Sequence, residues 1–558
     1  MKKAIAVVTA LITLLLCSCD TAENGASSSN SNASVDTGFE AKESEMFTGR
    51  DKNDSYSEED AVRITLLGSG AEASSDSVEI SGNTVTLKAE ETYIISGNLN
   101  GTLTVDTDGK AKPHIVFNGV NITADGFAAL YVKEADKVVI TLAKGSENSL
   151  TSVGAFRQTD GNGVDAAVFS KQDITFNGSG SLTVSSPSGH GITSKDDLVF
   201  TGGSYRVNAG LQAIDANDSI RIAKGTSFEI TAGKDGLHAE NNDDDSLGFI
   251  YLAGGSFNIT SKNDGISAGA YLQAEDGEFN ITANGSSGSM KGIKAVGTVL
   301  INGGLFTVNS KDDAVHSNSS VVINGGSLEI NTDDDGIHAD ESLVIKGGAI
   351  NITKCYEGLE ALNVSVEGGA VSLIATDDGI NAAGGKDGSG FGGGGGFGKD
   401  HFGKGGKGGF SMGNNLSKGS ITVSGGTVYI QSSGDGMDAN GTLLISGGFV
   451  TVCGPTKGDT ATLDYDISGS ITGGTFIGTG SANMAQTFSD ASQGVIAGRV
   501  GNVLANTRIT LKDGSGKVII DHTPVLDYAV IIVSSPELVS GESYELTIGD
   551  ETVTVKAG

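Results

Sequence analysis

Acidic residues recur at one spacing through the centre of the chain. Asp313, Asp335, Glu357, Asp378 and Asp435 each open a short motif of the kind Asp335-Gly336-Ile337-His338-Ala339, and Asp312, Asp334 and Asp377 precede three of them. Equivalent positions on stacked strands lie about 4.8 Å apart. Carboxylates held that close repel and raise one another's pKa unless a cation lies among them. Calcium suits such a column, because it takes several oxygen ligands in flexible geometry, turn carbonyls included. The expected calcium ligands are Asp312, Asp313, Asp334, Asp335, Glu357, Asp377 and Asp378, and Asp243, Asp244 and Asp245 form a further acidic loop. The alternative is a set of hydrated turn aspartates, each bonding its own corner backbone.

A second column follows three residues behind the first: His238, Ser267, Lys294, His316, His338, Glu360, Asn381 and Asp438. A line of donors and acceptors on a flat face suits a polysaccharide, with affinity built from many weak contacts. His316, His338, Glu360, Asn381 and Asp438 are the candidate carbohydrate-binding residues. The two adjacent histidines also offer nitrogen ligands to a transition metal. A polysaccharide lyase would need a base next to the acidic column, and Lys294 is the candidate, with Lys291 close by. The alternative for both lysines is charge balance. The sequence carries no convincing nucleophile triad, phosphate loop or zinc motif.

These columns require a repeat of about 22 residues. Each unit holds three short alternating segments, as in Ile337 and Ala339, then Leu343 and Ile345, then Ile350 and Ile352. One such coil cannot bury its apolar face alone, but stacked coils can, and each strand then pairs above and below. Asp-Gly and Gly-Gly pairs mark the corners, where glycine accepts positive φ. The expected fold is all-β: a right-handed parallel β-helix with three sheets and a small C-terminal β cap. A leucine-rich repeat lacks its asparagine pattern here, and a propeller blade needs about 40 residues.

The chain has 558 residues, 85 glycines, 5 prolines and a net charge of -32. So acidic a surface repels nucleic acid and suits solubility or cation binding. Lys2 and Lys3, the apolar run from Ala4 to Leu16, and Leu16-Cys17-Ser18-Cys19 resemble a lipoprotein signal, with Cys19 lipidated after cleavage. The expected organisation is a signal at 1–18, a flexible tether at 19–62, irregular N-terminal coils at 63–152, the regular β-helix at 153–478 and a C-terminal cap at 479–558. A glycine-rich insertion at 384–416 carries Phe391, Phe397, Lys399, Lys404 and Lys407. Such a chain is expected in the cell envelope, anchored on the surface or on the periplasmic side of a membrane. Cys355 and Cys453 are expected to be buried and unpaired, being several coils apart.

Two stretches carry a family resemblance. One is Ile115-Val116-Phe117-Asn118-Gly119-Val120-Asn121-Ile122 with Val138-Val139-Ile140-Thr141-Leu142-Ala143-Lys144-Gly145. The other is the Asp-Gly-Ile-His-Ala repeat with its Gly-Gly corners; Ser534-Ser535-Pro536-Glu537-Leu538 is also similar. On these residues the chain resembles the bacterial carbohydrate-binding β-helix proteins associated with cellulose and acidic plant sugars. The resemblance implies a noncatalytic polysaccharide binder with calcium sites at acidic corners and an architecture similar to pectate lyases. Tryptophan is absent, so stacking on sugar would fall to Tyr and Phe. Two other readings stay open: a calcium-dependent polysaccharide lyase, and a structural or adhesive spacer.

Overall fold

The computed structural model describes residues 40–382, 419–456 and 460–558. The expected signal, Cys19 and the whole glycine-rich insertion lie outside these residues.

Alternating apolar residues close the chain into a parallel β-helix with three ladders. The first runs through Leu130–Glu134, Ala166–Ser170, His190–Ser194, Ile214–Ala216 and Leu237–Ala239, and on to Met437–Ala439 and Leu463–Tyr465. The second includes Asp173–Gly178, Asp197–Phe200, Ser219–Ile222, Phe249–Leu252 and Val299–Ile301. The third includes Ser204–Ala209, Ser227–Ala232, Ser256–Ser261, Glu278–Ala283 and Leu305–Ser310. Register is strict over most of the stack, because a slip of one residue would turn every apolar side chain outward. Phe228, Phe257, Phe279 and Phe306 therefore stack inside, with ring centroids 5.2, 4.7 and 4.5 Å apart and nearly parallel.

The corner glycines do two different jobs. The second residue of each described Gly-Gly pair has positive φ, as at Gly348 (φ 89°). Gly336, in an Asp-Gly pair, does not; there a Cβ would sit 2.6 Å from the Gly358 carbonyl oxygen of the next coil. Close approach, rather than left-handed backbone, requires glycine at that corner.

At the C-terminal end, Thr475–Gly480 pairs antiparallel with Tyr528–Ser534, which pairs antiparallel with Val495–Val503. A separate antiparallel sheet joins Val518–His522, Ile509–Lys512, Ser543–Ile548 and Glu551–Lys556 around its own apolar cluster. Cys355 and Cys453 are buried free cysteines.

The structure corrects the last part of the expected tether. Residues 41–53 form a strap across the outer face of the second ladder, running against the direction in which the coils stack. Ala41 exchanges two hydrogen bonds with the Gln273 amide (2.8 and 2.9 Å). Phe47 packs edge-on to Tyr251. Asp51, fully buried, meets Lys137 at 2.6 Å and Thr175 at 2.6 Å. Composition misled here: a polar segment still docks when a few apolar residues and one buried ion pair find matching positions on a preformed surface.

Candidate functional site

The first ladder begins at each acidic corner, so it sets both columns side by side. Corner residues stack in the order His190, Gln212, Asp235, Asp264, Lys291, Asp313, Asp335, Glu357, Asp378 and Asp435, tied by backbone bonds from coil to coil. The corner carboxylates also serve as a ladder. Asp235 accepts from the Asp264 amide (3.0 Å), Asp264 from Lys291 (2.9 Å), Asp335 from Glu357 (3.2 Å) and Asp378 from Asp435 (2.6 Å). Part of the acidic pattern is thus structural: each carboxylate satisfies the next corner's N–H.

The second column is in the expected register, from Asp215 through His238, Ser267, Lys294, His316, His338, Glu360, Asn381 and Asp438 to Asp464. An open sugar-contact stripe is not what it forms. His316 and His338 are each 1% exposed, Lys294 3% and Asn381 8%; Glu360 and Asp438 are half-buried. Lys294 is buried between Ser267 and His316. Both expected stripe histidines spend a nitrogen on acid: His316 Nδ1 lies 2.8 Å from Asp313, and His338 Nδ1 lies 2.6 Å from Glu360.

Among the described residues, three groups of acids or histidines bring ligand atoms within 4.8 Å of one another: Asp312, Asp313 and Asp334; Asp335, His338 and Glu360; and Asp378, Asp435 and Asp438. They differ in what neutralises them. In the first, the Lys291 ammonium lies 2.5 Å from Asp312 and 3.1 Å from Asp313. Burial alone would raise the Asp313 pKa, but Lys291 and the His316 hydrogen bond outweigh it and hold the carboxyl below its ordinary range. In the second, burial disfavours the His338 cation, yet Asp335, Asp340 and Glu360 together push its pKa well up, so an imidazolium balances that group. The third is composed of oxygen donors alone. Asp378 and Asp438 are each pushed up to about 7, by burial first and then by neighbouring carboxylates. Asn381 sits beside Asp438 with its Oδ1 buried and without a hydrogen-bond partner, while its Nδ2 donates to Glu357 (2.8 Å).

Residues 81–336 match the model of a family described as carbohydrate-binding domain-containing protein. A carbohydrate-binding domain-containing protein of Acetivibrio thermocellus is 29% identical over 221 residues, spanning 39% of this chain and 77% of the relative. A polysaccharide lyase-like protein from C. thermocellum, solved as a gadolinium derivative, is 30% identical and covers 43% of this chain and 96% of its own, with a TM-score of 0.41.

The matched stretch includes the lysine-neutralised group and ends at Gly336. The third group, Asp378, Asp435 and Asp438, lies wholly beyond it. Of the expected calcium ligands, Glu357 and Asp377 join none of the three groups; Glu357 is hydrogen-bonded by Asn381, and Asp377 accepts from Tyr356. Asp435 was legible as the next member of the corner column, although it was not among the expected ligands. Charge balance by Lys291 was one of the two sequence readings, but its particular partner, Asp312, was not legible, because the reach of lysine along the corner is a three-dimensional fact.

Proposed function

We propose that this chain is a noncatalytic polysaccharide-binding lipoprotein of the cell envelope, anchored through Cys19, with calcium held at Asp378, Asp435 and Asp438. The family match over residues 81–336 supports the carbohydrate partner. The observation that carries the calcium assignment is the all-oxygen group with the buried, unpartnered Asn381 Oδ1 next to it. Carboxylates plus an amide oxygen are calcium's preferred donors. The other two groups already contain an ammonium or an imidazolium. A half-buried acidic group of this kind suits a polymer of acidic sugars, whose carboxylates complete the coordination of a shared ion.

Calorimetric titration of the metal-stripped full chain with Ca²⁺, with and without polygalacturonate, tests this. Calcium binding is expected, with polymer affinity appearing only in its presence, and Asp438→Asn should weaken the calcium step by at least about tenfold, the loss of one charged ligand interaction of about 1.4 kcal/mol. Unchanged calcium binding in Asp438→Asn would remove the assignment, and polymer binding indifferent to calcium would remove the bridging role.

A further inference from the structure

A column of opposite charge occupies the outer face of the first ladder over its N-terminal coils. Lys88, Asp106, Lys133, Lys171 and Lys195 sit at equivalent positions on five successive coils: Leu87 pairs with Val105 and Val105 with Val132, and the Lys171 and Lys195 amides bond the Val132 and Ser170 carbonyls (3.0 and 2.8 Å). The chain as a whole has 68 acidic residues against 36 lysines and arginines, so four cations to one acid reverse its prevailing charge. Lys88 and Lys133 share the Asp106 Oδ2 atom, at 3.2 and 3.1 Å. The next two cations take no acid. Lys171 Nζ donates to the Asn162 amide oxygen (3.0 Å), and Lys195 Nζ lies 5.8 Å from the Phe169 ring centroid; among the described residues neither forms an ion pair. Acids close to Lys195 are engaged elsewhere. Asp215 is bonded to His238 (2.8 Å), Asp165 faces His190 (3.7 Å), Asp197 pairs with Arg221, and Asp196 shares a hydrogen bond with Asp218. The adjoining column on the same strands, Tyr131, Phe169 and Thr193, is buried and uncharged.

Resting on the reading of an acidic polysaccharide as partner, we infer that Lys133, Lys171 and Lys195 are a direct, metal-free contact for its carboxylates, with the polymer lying along the stack. Three things fit that occupant. A polyuronate carries one carboxylate per ring, a repeat of the same order as the coil rise of about 4.8 Å, so successive lysines meet successive rings. A single polymer chain is narrow enough to touch the column alone, whereas a flat anionic surface such as a membrane would also meet the acids that flank it. Lys195 is exposed and Lys133 and Lys171 are half-buried, so all three remain accessible. An exposed ion pair is weak by itself, so the column does not hold the polymer alone. It acts once calcium has engaged the polymer at Asp378, Asp435 and Asp438, because a tethered chain is at high effective concentration. Asp378 lies eight coils beyond Lys195 on the same ladder, roughly 40 Å along it, a span that a long polymer covers.

The test is calorimetry of the full chain with long polygalacturonate in saturating Ca²⁺. Lys171→Gln with Lys195→Gln should leave the calcium step unchanged and lower polymer affinity roughly three- to tenfold, the combined effect of two weak pairs. Lys171→Arg with Lys195→Arg should keep the affinity. Added salt should narrow the gap between wild type and the glutamine variant. Neither lysine holds an acid, so both variants are expected to fold, and circular dichroism verifies it. In the wild type, bound polygalacturonate should also protect Lys171 and Lys195 from acetylation while exposed Lys144, beyond the second ladder, stays reactive. Unchanged polymer affinity in the folded glutamine variant, or acetylation of Lys171 and Lys195 undiminished by bound polymer, overturns the inference and leaves the calcium reading standing. Polymer that binds without calcium and loses affinity in the glutamine variant would instead remove the bridging role and keep the column.

Discussion

Replacing Asp51 with Ala should cost about 3–5 kcal/mol of local stability, because it leaves the Lys137 ammonium buried without its partner. Both side chains are largely removed from solvent, at 1% and 11% exposure, and meet at 2.6 Å. Thr48 and Thr175 also donate to the Asp51 carboxylate. Burial by itself would raise the Asp51 pKa, but the hydrogen bonds from Lys137, Thr175 and Thr48 bring it down to about 2 from 3.8. A depressed carboxylate contributes stability above its unfolded pKa and loses it as pH falls through the folded value. The strap should therefore be held fully above about pH 4 and released progressively toward pH 2, a contribution of roughly 2 kcal/mol at 1.36 kcal/mol per unit. Hydrogen exchange of residues 41–53 and of the second ladder would show it. Exchange in Asp51→Ala indistinguishable from wild type would mean that the ion pair does not hold the strap. The double variant Asp51→Ala, Lys137→Met should recover part of the loss, since it removes the orphaned charge as well.

Lys291→Met should be similarly costly, about 3–5 kcal/mol, and should also change the protein's response to calcium. Lys291 is 1% exposed and lies against Asp312 and Asp313, the latter fully buried. Without the ammonium, Asp313 loses the largest influence that keeps it ionised against burial. The group formed by Asp312, Asp313 and Asp334 is then three close carboxylates. Calcium should become a surrogate for the missing cation and raise the variant's melting temperature, with about 2.7 kcal/mol regained at a hundredfold excess over Kd. Asp438→Asn in the same background keeps the two calcium responses apart. A variant as stable as wild type, or one that calcium does not help, would show that Lys291 is not the built-in cation of this group.

The fold was readable because its information is periodic. Ile337, Leu343 and Ile350 each sit where a three-sided coil needs an inward apolar residue, and the column from His238 to Asp438 falls in the register that the repeat implies. Periodicity does not report depth. His316 and His338 alternate with core residues and so read as outward, which they are, yet each is only 1% exposed. Charge partners were equally hidden. Asp312 and Lys291 are 21 residues apart, and the bridge between them depends on corner geometry that composition does not encode. The strap shows the same limit: Ala41 and Gln273 are separated by 232 residues, and nothing in the polar run around Ala41 announces the partner.

That separation bears on the order of events when the chain is made. Residues 41–53 leave the ribosome before the surface they occupy exists, since that surface is assembled from Lys137, Thr175, Arg221, Tyr251 and Gln273. Coils can add one on the next with short loops to close, whereas this contact must wait for more than two hundred further residues and close a very long one. An early-emerging segment is therefore among the last to settle. Its docking depends on the first half of the stack: a truncated or misregistered coil anywhere from Lys137 to Gln273 would leave Ala41, Met46, Phe47 or Asp51 without the surface that buries it.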